Sequence, residues 1–444
     1  MSTTSQASQR INALLDENSF VEIGALVTAR ATDFNLKQTE TPSDGVVTGY
    51  GVINGNLVYV YSQDASVLNG TVGEMHARKI ANLYDLALKM GAPVIGLIDS
   101  AGLRLQEATD ALNGFGEIYM KQTLASGVIP QITAVFGNCG GGLALIPAMT
   151  DFAFMEEKKA KLFVNAPNTL EGNEVSRCDT AAAAFQSEET GLVDMVSDEA
   201  EILAQIRQLV SVLPANNADI AVDDCTDDLN RVCAELVNCV GDTSIALSQI
   251  ADDGVFVEVK QSYAKDMVAG FIRLNGATIG AVANRTEVYN ADGEVTEKFE
   301  AVLSARGAEK AAEFITFCDA FDIPVLSLTN VKGFAATKCS EKRMAKAVGK
   351  LTYAFANATV PKVNVIIGKA YGSAYVAMNS KAIGADITIA WPDAEIGMMD
   401  ASLAAKIICD GQGSDAIANC AKEYAQLQNN VKSAAGRGYV DQIV

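Results

Sequence analysis

The feature that most constrains this chain is that it repeats itself. Residues 89–102, KMGAPVIGLIDSAG, read against residues 320–333, AFDIPVLSLTNVKG. Residues 126–144, SGVIPQITAVFGNCGGGLA, read against residues 357–375, NATVPKVNVIIGKAYGSAY. Pro93 and Pro324, Gly102 and Gly333, Pro130 and Pro361, Gly137 and Gly368, and Gly141 and Gly372 all share a single spacing along the chain. Punctuating residues held in one register throughout point to a duplicated structural unit.

Each copy reads in the same order. A strand pair (Gly51–Tyr61; Phe271–Asn284) precedes a polar helix (Ile80–Lys89; Glu309–Phe321). A proline then opens a short apolar run rich in β-branched residues (Val94–Ile98; Val325–Leu328). A second helix and a second proline-led run (Ile132–Phe136; Val363–Ile367) lead to a Gly-rich turn. Buried strands alternating with helices predict parallel β/α units with right-handed crossovers. Leu213–Asn230, rich in Asn and Asp, reads as a linker. The expectation is an α/β chain of two domains, 1–215 and 228–444, built of repeated ββα units.

Composition narrows the function. At 444 residues the chain suits two cores, and 49% apolar with 20% charged residues is the balance of a folded protein. A net charge of −20 argues against binding nucleic acid or an anionic membrane directly. The nine cysteines include no CxxC pair, so reduced thiols are expected and neither a disulfide framework nor a metal knuckle. His76 is the only histidine, which disfavours a Ser-His-Asp triad or a multi-histidine metal site. No charge lies between Lys121 and Asp151. That stretch holds Pro130, Pro147 and Gly140-Gly141-Gly142, so it reads as buried strand, turn and helix, not a membrane span.

Two turns carry the chemistry. Gly137-Asn138-Cys139-Gly140-Gly141-Gly142 and Gly368-Lys369-Ala370-Tyr371-Gly372-Ser373-Ala374 each follow a buried strand and open a helix. Backbone N–H groups at such a turn can hold an oxyanion, although tight strand-to-helix packing also favours glycine. Neither turn is a dinucleotide fingerprint and there is no Walker A motif. A second loop ends the preceding strand in each half, at Ser100-Ala101-Gly102 and at Lys332-Gly333-Phe334, where open α/β sheets bind ligands. Arg104 and Glu107 read as a local ion pair at a helix start.

At these residues the sequence resembles the carboxyltransferase subunits of biotin-dependent acyl-CoA carboxylases and decarboxylases, of the propionyl-CoA carboxylase beta and methylmalonyl-CoA decarboxylase alpha type. The likeness runs from about Arg10 to Val444, through RINALLDENSFVEI, SQDASVLNGTVGEMHARKI, DSAGLRLQEA, GNCGGGLALIPAMTDF and GKAYGSAYVAMNSKAIGADITIAWPDAEIGMM. The resemblance implies two tandem crotonase-like (ClpP/crotonase) domains, the first for acyl-CoA and the second for biotin. It puts the catalytic oxyanion holes at Gly141 and Gly142 and at Ser373 and Ala374. Ala101, Gly102, Gly333, Phe334, Gly372 and Val376 become substrate-binding positions, with no metal. In the implied mechanism biotin itself takes the substrate proton, so no protein base is needed.

The resemblance further implies a coenzyme A thioester as substrate and biotin on a separate carrier protein, since neither a biotinylation site nor an ATP-grasp loop is found. Partners would be a membrane decarboxylase subunit or a biotin carboxylase, in a cytoplasmic homo-oligomer, a hexamer as a trimer of dimers, reaching the inner membrane only through a partner. The compact chain ending at Val444 favours the sodium-pumping decarboxylase by analogy. Departures from the family pattern are Ser373 for Gly, Lys332 for Pro, Val376 for Asp and a short segment from Gly172 to Phe185. Two alternatives stay open: a crotonase-type enoyl-CoA hydratase or isomerase using Glu107 and Glu117 as acid and base, and a non-catalytic scaffold.

Overall fold

The computed structural model describes residues 5–30, 40–228 and 230–444. The chain forms two compact units, Met1–Ala221 and Val222–Val444. The boundary falls within the Asn- and Asp-rich stretch 213–230, of which residue 229 lies outside the described residues.

In the first unit, helix α1 (Gln6–Leu14) and strand β1 (Val21–Ile23) precede the hairpin β2 (Val46–Ile53) and β3 (Asn56–Gln63). Helix α2 (Glu74–Met90), strand β4 (Val94–Ser100), helix α3 (Ala108–Ala125) and strand β5 (Gln131–Gly140) follow. Helix α4 (Leu145–Met149), strands β6 (Phe152–Glu156), β7 (Lys161–Phe163) and β8 (Met195–Ser197), and helix α5 (Glu199–Val212) complete it. The sheet runs β1-β2-β3-β4-β5-β6-β8, with β7 on the end of β5. The first two pairings are antiparallel and every later one is parallel.

The second unit repeats this plan. Helices α6 (Leu236–Cys239) and α7 (Thr243–Ile250) lead to β9 (Phe256–Glu258) and the hairpin β10 (Met267–Leu274) and β11 (Ala277–Asn284). A small extra hairpin, β12 (Glu287–Tyr289) and β13 (Val295–Lys298), comes before helix α8 (Ala305–Ala320). Then come β14 (Val325–Val331), α9 (Lys338–Asn357), β15 (Lys362–Tyr371), α10 (Gly372–Ala377), β16 (Ile387–Ala390) and β17 (Glu395–Gly397). Helices α11 (Ala401–Ile408), α12 (Ser414–Tyr424) and α13 (Val431–Gly436) and strand β18 (Gln442–Ile443) end the chain. The sheet order β9-β10-β11-β14-β15-β16-β18, with β17 on β15, matches the first unit strand for strand.

Local chemistry explains the match. Both long hairpins turn on Asn-Gly, Asn54-Gly55 and Asn275-Gly276, with φ of 50° and 82° and of 54° and 78°. Two successive positive φ values suit the twist of a two-residue hairpin, and Asn and Gly tolerate them best. The proline-led runs are the central strands because their neighbours cover both faces. Ile80, Leu83 and Tyr84 of α2, Ile98 of β4, Ile118 of α3 and Val135 of β5 share one core. Val268, Ile272, Ala281, Leu328 and Ile367 share another.

A buried lysine pegs each unit at the same place. Lys79 Nζ donates to the carbonyls of Ser43 and Val46, and Lys310 Nζ to those of Lys260 and Tyr263. Burial lowers their pKa values to about 8 and about 7. The uncharged stretch 122–150 is the end of α3, β5 and α4, and among the described residues no helix is long and apolar enough to cross a membrane.

Candidate active site

The two glycine turns singled out in the sequence sit where β5 and β15 end. After β5 a helical turn starts at Gly141, and α10 starts at Gly372, with φ of 62° and 61°. A side chain at that φ costs about 1 kcal/mol, which is why glycine stands at both. The N–H groups of residues that open a helical turn have no carbonyl one turn earlier to bond. Gly142 and Ser373, next in line, are both exposed, while Leu143 and Ala374 are both buried. The repeat therefore matches Gly141-Gly142 to Gly372-Ser373, with Ala374 opposite Leu143.

The second loop of each half lies beside its turn. Ser100 pairs with Cys139 and Val331 with Ala370, again at equivalent positions. A Cβ on Gly102 would lie 3.7 Å from the Gly140 carbonyl oxygen. The loops are tied identically behind: Val72 N donates to Gly102 O and Arg104 N to Val72 O, as Leu303 N does to Gly333 O and Ala335 N to Leu303 O. Ala101 N donates to Asn69 O at 3.0 Å and Gly102 N to Ser100 Oγ at 3.1 Å. These two amides are engaged inside the loop, so the loop walls the turn. Around Gly333 an added Cβ would meet nothing within 4 Å, and Phe334 is 38% exposed. Val376 lies on α10, 37% exposed.

Sequence reasoning missed the latch between strand ends. Asp99 at the end of β4 packs against Gly137, where a Cβ would fall 1.9 Å from its Oδ1. Asn330 packs the same way on Gly368, at 2.7 Å, and accepts from Lys369 N at 3.0 Å. Asp99 and Asn330 share the spacing of the duplicated prolines and glycines, so the register that revealed the turns also held this pair. Asp99 is further held by Arg10 Nη1 of α1 at 3.3 Å, and Arg10 in turn bonds Glu199 of α5. Tyr119 was also missed; its hydroxyl donates to Gly142 O at 2.5 Å.

Arg104 and Glu107 differ from the local pair expected. The pair exists at 2.8 Å, but both side chains are buried and Arg104 also reaches the sequence-distant Asp44, at 2.6 Å. Burial raises the Asp44 pKa against the pull of Arg104. Glu107 Oε2 accepts from Glu74 N, so this carboxylate is occupied and closed off from a substrate. Glu117 faces outward on α3. His76 is fully buried, its pKa lowered to about 3 chiefly by burial, so its ring is neutral and structural. Among the described residues no group of His, Cys, Asp and Glu is placed to hold a metal.

Two crotonase-like units in tandem, each ending a parallel strand in a glycine turn, are the architecture of a carboxyltransferase. The profile of the carboxyl transferase domain family matches residues 4–444, and the chain belongs to that family. A propionyl-CoA carboxylase beta chain of Roseobacter denitrificans is 41% identical, over 99% of this chain and 87% of the relative. A methylmalonyl-CoA decarboxylase alpha subunit of Propionigenium modestum is 39% identical, over 99% and 86%. A transcarboxylase 12S crystal structure, a hexamer with methylmalonyl-coenzyme A and methylmalonic acid bound, superposes with a TM-score of 0.92 at 35% identity, over 99% of this chain and 86% of that one. The chain is an enzyme of the carboxyltransferase class.

Proposed function

We propose that this chain moves a carboxyl group between the α-carbon of a short acyl-CoA, of the methylmalonyl-, malonyl- or propionyl-CoA type, and biotin on a separate carrier protein. The supporting observation is the paired turn: two equivalent amide sites in one chain suit a reaction that develops negative charge on two oxygens. In the decarboxylating direction the bond from α-carbon to carboxyl breaks and its electron pair moves toward the thioester oxygen. Gly141 and Gly142 N–H groups hold that oxygen, walled by Ala101 and Gly102. Biotin, when bound, supplies a ureido nitrogen that accepts the carboxyl group and yields its proton to the α-carbon. The second turn fits such a group, with open space around Gly333: Ser373 and Ala374 N–H groups would face its ureido oxygen, beside Gly333, Phe334 and Gly372. Val376, apolar and partly exposed, borders the acyl chain. Each amide donor in such a site is worth roughly 3 kcal/mol of barrier.

The carboxylase and decarboxylase readings use one chemistry run in opposite senses, and both groups of relatives cover nearly the whole chain. The partner, a biotin carboxylase or a sodium-pumping membrane decarboxylase subunit, sets the direction. The working form is a homo-oligomer such as a trimer of dimers, a reading supported by the hexameric assembly of the structural relative. The test mixes purified chain, free biotin and malonyl-type CoA esters. Biotin-dependent loss of the carboxyl group is expected. Biotin-independent hydration of crotonyl-CoA, or CoA binding without turnover, would overturn the proposal.

A further inference from the structure

The geometry points to Arg104 as the positioning residue of the first turn, a role resting on the proposed site and one that the second half lacks. Its guanidinium is 1% exposed. Nη1 donates to Asp44 Oδ1 at 2.6 Å and to Glu107 Oε1 at 2.8 Å, and Nη2 donates to Thr71 O at 2.7 Å. Its own amide donates to Val72 O at 2.9 Å, so main chain and side chain grip the same neighbours. Behind Asp44 the network continues. Asp44 Oδ2 accepts from His76 N at 2.8 Å, and the His76 Nδ1–H donates to Asp44 O at 2.9 Å. His76 Nε2 then accepts from Gln63 Nε2 at 3.1 Å, and Gln63 Oε1 accepts from Asp99 N at 3.3 Å. Asp99 is the latch on Gly137. The residues on both sides of the 100–104 loop thus belong to one buried chain of bonds that begins at the Arg104 fork.

The second unit keeps the main-chain tie and drops the clamp. At the positions equivalent by the repeat's spacing stand Ala335 for Arg104, Gly307 for His76 and Lys338 for Glu107. The loop still forms, with Ala335 N on Leu303 O at 3.0 Å. Arg104 is therefore not needed to make the loop; it fixes it. A fixed wall suits a turn that must meet a thioester oxygen within tenths of an ångström. A compliant one suits a ligand that enters and leaves on a carrier, and Lys332 and Phe334 are exposed there.

The test compares full-length Arg104→Lys and Glu107→Gln with the parent. Lysine keeps the charge and cannot reproduce the fork. Arg104→Lys is expected to lower kcat for biotin-dependent decarboxylation about 10- to 100-fold, the cost of a misplaced reacting group. KM for acyl-CoA should move less than about threefold and KM for biotin not at all, the signature of a loss confined to the transition state. Hydrogen exchange of residues 100–104 should accelerate while residues 331–335 and the core strands keep the parent rate. Glu107→Gln, which keeps the shape and one acceptor, should show the same split at about 3- to 10-fold. A kcat within twofold of the parent, a rise in KM with kcat unchanged, or faster exchange across the whole first unit would overturn the inference. So would failure of both variants to fold, which would assign these residues to stability alone. A parent without biotin-dependent transfer sinks the site reading instead, and the exchange comparison then decides the clamp by itself.

Discussion

Substituting Gly142→Val tests the first turn directly. The residue is exposed, although one of its neighbours, Phe115, belongs to the core. A Cβ there would lie 3.0 Å from the Tyr119 hydroxyl and 3.1 Å from the Phe115 ring. Valine adds two further carbons in that space. Tyr119 already bonds the Gly142 carbonyl at 2.5 Å, so it cannot yield without turning that peptide. Losing the alignment of one oxyanion donor costs about 3 kcal/mol, or roughly 10²- to 10³-fold in kcat. The strain in the fold should stay at about 1–3 kcal/mol, borne by Tyr119 and the buried Phe115. The assay is biotin-dependent decarboxylation of a malonyl-type CoA ester, with size-exclusion chromatography to confirm unchanged assembly. A variant retaining more than a tenth of parental kcat would refute the role of the turn, and one that loses its assembly would refute the estimate of strain.

Three further outcomes follow from burial. Asp151 accepts from Gln131 N, and burial, with a further push from Asp194, raises its pKa to about 7, well above the usual carboxylate range. Its contribution is complete below the unfolded value and lost as pH rises through 7. Asp151→Asn should therefore stabilise the chain more at pH 8 than at pH 5, by on the order of 2 kcal/mol in denaturant titrations; an equal effect at both would contradict this. His76, held neutral down to about pH 3, should cost stability as pH falls below 6.5, by about 1.4 kcal/mol per unit. Unfolding midpoints of His76→Gln should show a shallower acid slope than the parent, and the activity profile should have no imidazole limb. Cys139 and Cys318, buried and with thiols pushed up by burial, should resist iodoacetamide in the native chain while exposed Cys178 and Cys339 label; mapped alkylation reads this out.

Much of the fold was legible because proline and glycine fix backbone geometry and so keep register through a duplication. Pro93 and Pro324 mark the central strands, and Gly141 and Gly372 mark the turns. The hairpins escaped that register: Asn54-Gly55 and Asn275-Gly276 stand closer together than the other matched pairs, because the added β12–β13 hairpin lengthens the second unit only after them. Helix starts were read late, at Ile80 and Glu309 in place of Glu74 and Ala305, because polar first turns carry no apolar period. The site's support was less legible. Arg104 was read by its near neighbour Glu107, while its shorter bond goes to Asp44, which no local pattern can reveal. Nothing in the sequence pattern marks Tyr119; only the fold brings its hydroxyl to Gly142.

The latch differs between the halves in one atom's charge. Asn330 satisfies its unit with a neutral amide, whereas Asp99 carries a carboxylate balanced by Arg10 from the amino-terminal helix and, beyond it, Glu199. Helix α1 thus braces the latch of the first unit. Trimming the chain through Arg10 would strip Asp99 of its counter-ion and loosen the first turn, while the latch of Asn330 on Gly368, which has no such ion pair to lose, keeps its bond to Lys369 N.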